Sequence, residues 1–98
     1  MKAQPIPPDL LKIREQIDQI DTELVELLAR RFALTHKVGQ LKAMNQLEAV
    51  DPEREARKLA SLRELSESRQ LSVALVTEIF TAIMAEAVRN HKKLKNGE

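Results

Sequence analysis

Three residues that could carry electrostatic or acid–base chemistry occupy helix positions where the pattern places apolar side chains: Arg31, Glu55 and His91. An unpaired buried charge costs several kcal/mol, and an arginine cannot avoid that cost by losing its proton. Arg31 is therefore expected to face either a buried carboxylate or a cavity that holds an anion. The alternative without a ligand is a core ion pair between Arg31 and Glu55.

Lys42 is a second cation in register with Arg31. It follows Arg31 by 11 residues, which corresponds to about 16 Å along a helix and about 20° around it. Two long cations at that separation can close on a small dianion from its two ends. A lysine at this point can also simply complement the negative end of a helix dipole. The pair therefore suggests a dianion site without specifying one.

Arg14 precedes Arg31 by 17 residues, or about 26 Å along the same helix. It cannot reach a small ligand held by Arg31 unless it comes from an antiparallel second copy of the chain. A surface ion pair with Asp18, four residues further on, is the simpler interpretation of the spacing alone.

The composition excludes several classes of function. The 98 residues correspond to one domain, and 16 basic against 15 acidic side chains give no strong reason to bind nucleic acid or an anionic membrane. Phe32 and Phe80 are the only aromatic residues, so a base-stacking surface is not expected. There is no cysteine, and the two histidines form no metal-ligand motif, so we expect neither a metal nor a cofactor.

The N-terminal residues contain no apolar run. This predicts a cytoplasmic protein without a signal peptide or a membrane span.

The positions of glycine and proline predict an all-α fold. Glycine occurs only at positions 39 and 97, and proline only at 5, 7, 8 and 52, so helix can run from Asp9 to Lys95 with a break near Pro52. Asp9, Asp51 and Ser72 are suitable N-caps for three successive helices. We predict a helical domain over residues 9–95, with flexible tails at 1–8 and 96–98.

The first helix is predicted to be too long for its own chain to cover. From Asp9 to about Lys42 it would span roughly 50 Å, whereas a domain of this size has a radius of gyration of about 13 Å. An apolar seam follows its whole length: Leu10, Ile13, Ile17, Ile20, Leu24, Leu27, Leu34, Val38 and Leu41. A second copy must cover part of this seam, so the sequence predicts a homodimer.

Five segments, in this order and spacing, resemble the all-helical chorismate mutases: Leu11–Asp21, Leu27–Arg31, Val38–Lys42, Asp51–Glu55 and Ile79–Met84. The resemblance extends over residues 9–94. It implies three helices per chain (long, short and medium) in an intertwined homodimer, with chorismate, a dicarboxylate, as the substrate.

The resemblance also implies roles for individual residues. Four cations would hold the two carboxylates: Arg14 from the partner subunit, and Arg31, Lys42 and Arg54 from the other. Lys42 would also point at the ether oxygen whose bond breaks. Glu55 would accept a hydrogen bond from the ring hydroxyl, and Asp51 would support that end of the ligand.

The implied reaction, chorismate to prephenate, needs no nucleophile, proton relay, metal or cofactor. It is a unimolecular pericyclic shift, so an enzyme must hold the reactive chair conformer and stabilise negative charge on the ether oxygen. Fixed cations in a dry pocket can do both.

Two positions in the third helix depart from the family pattern. Ala87 stands where the family often has a small hydroxyl residue, and His91 stands where it usually has a glutamine, or a protonated glutamate, that donates to the ether oxygen. Since histidine can donate from its neutral or its charged form, we expect His91 to be the second donor. The alternative is that His91 only packs on the seam and Lys42 acts alone.

These departures leave other functions open on the same fold. An isochorismate pyruvate-lyase shares the cations but tends to lack the carboxylate at position 55, so Glu55 favours the mutase. An aminodeoxychorismate mutase is compatible with Glu55, which suits an ammonium group. A helical dimer that only binds a partner protein is the non-enzyme alternative, although such a bundle gains nothing from ionisable residues on three seams.

Overall fold

The computed structural model describes residues 4–97, and within that range it contains three α-helices and no strand. Helix α1 is Pro8–Met44, α2 is Pro52–Ser68 and α3 is Val73–Lys95. With 37, 17 and 23 residues they follow the predicted order of long, short and medium. The all-α prediction is confirmed.

The two internal helix starts are capped as predicted. The Asp51 carboxylate accepts a hydrogen bond from the Arg54 backbone N–H at 3.2 Å, and Pro52 occupies the first turn of α2. The Ser72 hydroxyl accepts from the Leu75 N–H at 3.2 Å. Each cap satisfies one of the backbone donors that a helix leaves unpaired at its N-terminus.

The outer boundaries differ slightly from the prediction. Helix α1 begins at Pro8, so Asp9 lies in its first turn and the prediction of Asp9 as N-cap is wrong by two residues. Proline suits the first helical position because it lacks the N–H that would be unpaired there, and Asp9 still complements the helix dipole. Residues 1–3 and 98 lie outside the described residues, so the predicted tails stay a prediction.

The chain divides into two units, residues 1–33 and 34–98. In the first unit, every described residue up to Arg30 is exposed. This includes the apolar seam of α1 in this unit: Leu10, Ile13, Ile17, Ile20, Leu24 and Leu27. This part of α1 therefore has the apolar pattern of a packed helix, although its seam is exposed in the single chain.

The second unit contains the packed core, in which α2 contacts α3. Its buried apolar residues are Ala49, Leu62 and Ala87. The three- and four-residue spacing in the sequence predicts a packed seam along α3, and the structure confirms it, since all its members are buried or half-buried: Val76, Phe80, Ile83, Ala87, His91 and Leu94.

The buried face of α2 differs from the prediction at its C-terminal end. The sequence spacing places Leu65 on the α2 seam after Leu59 and Leu62, but Leu65 is 52% exposed, whereas Ser66 is 2% exposed. Ser66 is tolerated there because its hydroxyl donates to the Leu62 carbonyl at 2.6 Å, which satisfies a buried polar group. Helix α2 continues to Ser68, whereas the sequence predicts a connection over residues 66–71, before the Ser72 cap.

None of the helices in residues 4–97 is long and apolar enough to span a membrane.

Candidate functional site

His91 is the most buried of the predicted site residues, at 6% exposed. Its Nε2 lies 2.8 Å from the backbone carbonyl oxygen of Thr35 in α1. A carbonyl oxygen can only accept a hydrogen bond, so Nε2 carries a proton and donates it. The imidazole therefore forms a tertiary hydrogen bond between α3 and α1 as well as packing on the seam.

Gly39 makes room for this imidazole. A Cβ added at Gly39 would lie 2.5 Å from His91 Cδ2 and 2.9 Å from Leu94 Cδ1. A glycine inside a helix costs about 1 kcal/mol relative to alanine, so its presence within α1, five residues before the helix ends at Met44, requires a reason. The close approach of the His91 ring supplies that reason.

The other ring nitrogen of His91 is in a different situation. Nδ1 is buried and has no hydrogen-bond partner among the described residues. When Nε2–H donates to Thr35, the neutral imidazole has only a lone pair on Nδ1. Nδ1 carries an N–H of its own only in the imidazolium. This geometry narrows the hypothesis for His91: it can donate to a ligand from Nδ1, and only in its charged form.

Lys42 lies in the last turn of α1 and is half-buried. Its Nζ donates to the backbone carbonyl of Ala49 at 3.3 Å, and Ala49 is itself 7% exposed, in the connection between α1 and α2. An ammonium has three donors, so one of them holds the side chain against the connection. The same group remains compatible with a ligand oxygen.

The first turn of α2 contains three of the predicted site residues. Asp51 is the N-cap, Arg54 is exposed, and Glu55 is half-buried. The Glu55 N–H donates to the Asp51 carbonyl at 3.0 Å, so the cap also sets where the Glu55 side chain leaves the helix. A carboxylate near a helix N-terminus is stabilised by the dipole.

Ala87 is 7% exposed and lies one turn before His91 on α3. Its methyl group can contribute shape but no hydrogen bond. Any stabilisation of an ether oxygen at this end of the helix must then come from other side chains.

Six of the eight predicted site residues lie in the second unit, where two hydrogen bonds tie Lys42 and His91 to other elements. The Lys42–Ala49 bond links the end of α1 to the connection that leads into the α2 cap, and the Thr35–His91 bond links α1 to α3 one to two turns away. Arg14, exposed, and Arg31, half-buried, lie in the first unit. The approach of these two arginines to the other six stays a prediction.

Three residues that contact His91 or Lys42 received no role from the sequence: Thr35, Gly39 and Ala49. Thr35 and Ala49 act through backbone carbonyls, which leave no signal in a side-chain pattern. Gly39 did leave one, because a lone glycine in an otherwise helical segment often marks a close approach. Among residues 4–97, no three side chains of the metal-ligating types lie close enough together to bind an ion.

Similarity to known proteins extends across the whole site. A family model described as chorismate mutase type II matches residues 13–92, a range that contains all eight predicted site residues. A bifunctional chorismate mutase/prephenate dehydratase of Buchnera aphidicola (subsp. Schizaphis graminum) is 36% identical over 92 residues, which are 94% of this chain and 24% of the relative.

Two proteins named T-protein are similar to the same region. That of Enterobacter agglomerans is 37% identical over 79 residues, which are 81% of this chain and 21% of the relative. That of Haemophilus influenzae is 32% identical over 84 residues, which are 86% of this chain and 22% of the relative. The chain spans about a quarter or less of the length of these curated relatives.

Proposed function

Because the chain belongs to the chorismate mutase type II family, we propose that it catalyses the rearrangement of chorismate to prephenate. The observation that carries this proposal is the family match over residues 13–92, which includes every predicted cation and carboxylate of the site. Such an activity would belong to aromatic amino acid biosynthesis.

To catalyse this reaction, the protein must position chorismate and stabilise the negative charge that develops on its ether oxygen. Chorismate must be held as the chair conformer in which the bond-forming carbons meet, while the ether bond breaks and electron density accumulates on its oxygen. A preorganised cation contributes most where charge develops and water is excluded. Lys42 suits this role because it is half-buried and already held by the Ala49 carbonyl.

The first turn of α2 is suited to the ring end of the substrate. Glu55 is half-buried and would accept a hydrogen bond from the ring hydroxyl, which orients the ring. Asp51 would support that interaction through the cap, and the exposed Arg54 would bind a substrate carboxylate.

His91 would be the second donor to the ether oxygen, from Nδ1 and in its charged form. The buried, unpartnered Nδ1 and the Nε2–H that is already engaged with Thr35 support this assignment. Ala87 would provide a small apolar wall in place of a hydroxyl, so Lys42 and His91 together would stabilise the charge.

The complete site would form in a homodimer. The exposed apolar seam of α1, from Leu10 to Leu27, is the surface that a second copy would cover. Arg14, which is exposed, would then enter the partner's site, while Arg31 would bind a carboxylate in its own. We place this activity in the cytoplasm.

The test is to incubate the purified protein separately with chorismate and with isochorismate, and to identify the products by chromatography. We expect prephenate from chorismate, with kcat/KM in the ordinary enzyme range of at least about 10⁴ M⁻¹s⁻¹. Salicylate and pyruvate from isochorismate, with little prephenate, would make the protein a lyase. Turnover of neither would exclude both, and aminodeoxychorismate would be the next substrate to assay.

A further inference from the structure

We propose that Gly39 is a positioning residue for His91: with the Thr35 carbonyl it holds the imidazole so that Nε2–H is engaged and Nδ1 alone is left for the ligand. This inference rests on the proposed function, because it assigns a role within that site. It concerns two positions, Thr35 and Gly39, that do not themselves touch the substrate.

Two contacts on one edge of the ring define its orientation. The Cδ2–Nε2 edge of His91 faces α1, since a Cβ at Gly39 would lie 2.5 Å from Cδ2 and 3.2 Å from Nε2. The same Nε2 lies 2.8 Å from the Thr35 oxygen. A steric contact and a hydrogen bond on the same edge together fix the rotation of the ring about its Cβ–Cγ bond.

The opposite side of the His91 ring carries Nδ1, the nitrogen that is not bonded to Thr35. Nδ1 lies across the ring from that edge, is buried, and has no hydrogen-bond partner among the described residues. Buried polar atoms in folded proteins are nearly always hydrogen-bonded, so a buried nitrogen without a partner is expected where a ligand completes the site.

The free space at Gly39 is what allows this orientation. With alanine at position 39, the methyl group would overlap Cδ2 of His91 and Cδ1 of Leu94. The leucine can move, because its terminal methyl is at the end of a flexible side chain. The imidazole can only rotate or withdraw, and either movement breaks the bond to Thr35 and redirects Nδ1.

The orientation of the ring can be measured without turnover. In protein labelled with ¹⁵N-histidine at about pH 8.5, where histidine is neutral, we expect His91 to be the Nε2–H tautomer, with an unprotonated Nδ1. His36, which is exposed, serves as the internal reference for a solvated ring. In a second sample at about pH 6, where the imidazolium can form, addition of prephenate should shift the Nδ1 resonance of His91 more than its Nε2 resonance. An Nδ1–H tautomer, or an Nδ1 resonance that does not respond, would overturn the proposal.

A double-mutant cycle tests whether Gly39 acts through His91. We expect Gly39→Ala to lower kcat at least tenfold while KM changes less than twofold, since Lys42, Arg54 and Glu55 are untouched. In a His91→Ala background, where the ring that the methyl would strike is gone, the same substitution should change kcat less than twofold. Gln40→Ala, at the exposed neighbouring position of α1, is the matched control and should retain full activity.

Equal losses of kcat from Gly39→Ala in both backgrounds would overturn the positioning role and leave Gly39 as a packing residue only. A loss of folded protein alone would lower the apparent kcat in proportion to the folded fraction, which circular dichroism measures on the same samples, and it would do so in both backgrounds. If Gly39→Ala fails to fold, the ¹⁵N spectra of the unsubstituted protein decide the question. A protein with the expected tautomer but no turnover of chorismate would refute the proposed function and leave the positioning of His91 standing.

Discussion

At the scale of single residues, the proposed site would depend on two donors, and the structure shows each of them bound to a backbone carbonyl. Lys42 is tied to Ala49 and His91 to Thr35. Both bonds fix a flexible or rotatable group before any ligand arrives, and preorganisation of this kind is what makes an electrostatic interaction effective in a transition state.

Substitution of Lys42 should reduce the rate of the chemical step. We expect Lys42→Ala to lower kcat by about 100-fold or more, because removing a preorganised donor at a developing charge has an effect of that order. Lys37→Ala, an exposed lysine on the same helix, is the control and should remain within about twofold of the unsubstituted protein, as expected for surface changes. Steady-state formation of prephenate measures both. A loss smaller than about threefold for Lys42→Ala would contradict its assigned role.

The charge of His91 should appear in the pH dependence of turnover. If Nδ1 donates only from the imidazolium, kcat should fall as the pH rises, because the proton on Nδ1 is then lost. In His91→Gln the decline should disappear, because an amide donates without titrating. Rates at saturating chorismate from pH 5 to 9 make the comparison, and a flat profile in the unsubstituted protein would contradict the charged-form hypothesis.

At the scale of the elements, the two N-caps have the same geometry and different neighbours. Asp51 and Ser72 each accept a backbone N–H at 3.2 Å. The cap on α2 adjoins Arg54 and Glu55, whereas no predicted site residue lies in the first turn of α3. Substitution of Ser72 is thus a control for substitution of Asp51.

Removal of either cap should lower stability, and removal of one should also weaken substrate binding. We expect Asp51→Ala and Ser72→Ala each to lower the free energy of unfolding by about 1 kcal/mol, measured by urea denaturation. Only Asp51→Ala should raise KM for chorismate, because it also releases the turn that positions Glu55. A rise in KM of equal size in both variants would indicate that the effect is one of stability alone.

The internal helix starts could be predicted because they depend on local chemistry. A carboxylate or hydroxyl followed by unpaired N–H groups, and a proline where no N–H is needed, specify Asp51-Pro52 and Ser72 as boundaries with no reference to the rest of the chain. The end of α2 could not be predicted in the same way. The sequence predicts a connection at Ser66, whereas in the structure Ser66 lies on the buried face of α2 with its hydroxyl donating to the Leu62 carbonyl.

At the scale of the whole molecule, the exposed seam of α1 and the position of Arg14 lead to one prediction. If Arg14 acts in the partner's site, two inactive variants can complement each other. A dimer of one Arg14→Ala chain and one Lys42→Ala chain has one site with both substitutions and one site with neither.

Unfolding and refolding an equimolar mixture of Arg14→Ala and Lys42→Ala should therefore restore about a quarter of the activity of the unsubstituted protein, because half of the dimers are mixed and half of their sites are intact. The prephenate assay measures this recovery. No recovery, with each variant folded, would place Arg14 in its own chain's site or outside any site.

The oligomeric state provides the control for that experiment. Leu24→Glu puts a charge on the seam and should produce monomer or unfolded chain in analytical ultracentrifugation. Val25→Glu makes a similar change about 100° further round the helix and should leave the dimer intact. A monomeric unsubstituted protein would contradict both the dimer and the complementation.

The sequence by itself determined the helices, their order and the identity of the charged residues on their seams. These follow from periodicity, from the scarcity of glycine and proline, and from capping chemistry, all of which act within a few residues along the chain. The α3 seam from Val76 to Leu94 was predictable for that reason. The departures at Ala87 and His91 could also be read from the sequence.

Only the tertiary structure decided which nitrogen of His91 is engaged, why residue 39 is glycine, and what holds Lys42. Thr35 and His91 are 56 positions apart, and the partner atom is a backbone carbonyl that every residue type carries. Such contacts depend on how closely two helices approach each other. That distance is set by the packing of the whole unit and leaves almost no trace in the local order of side chains.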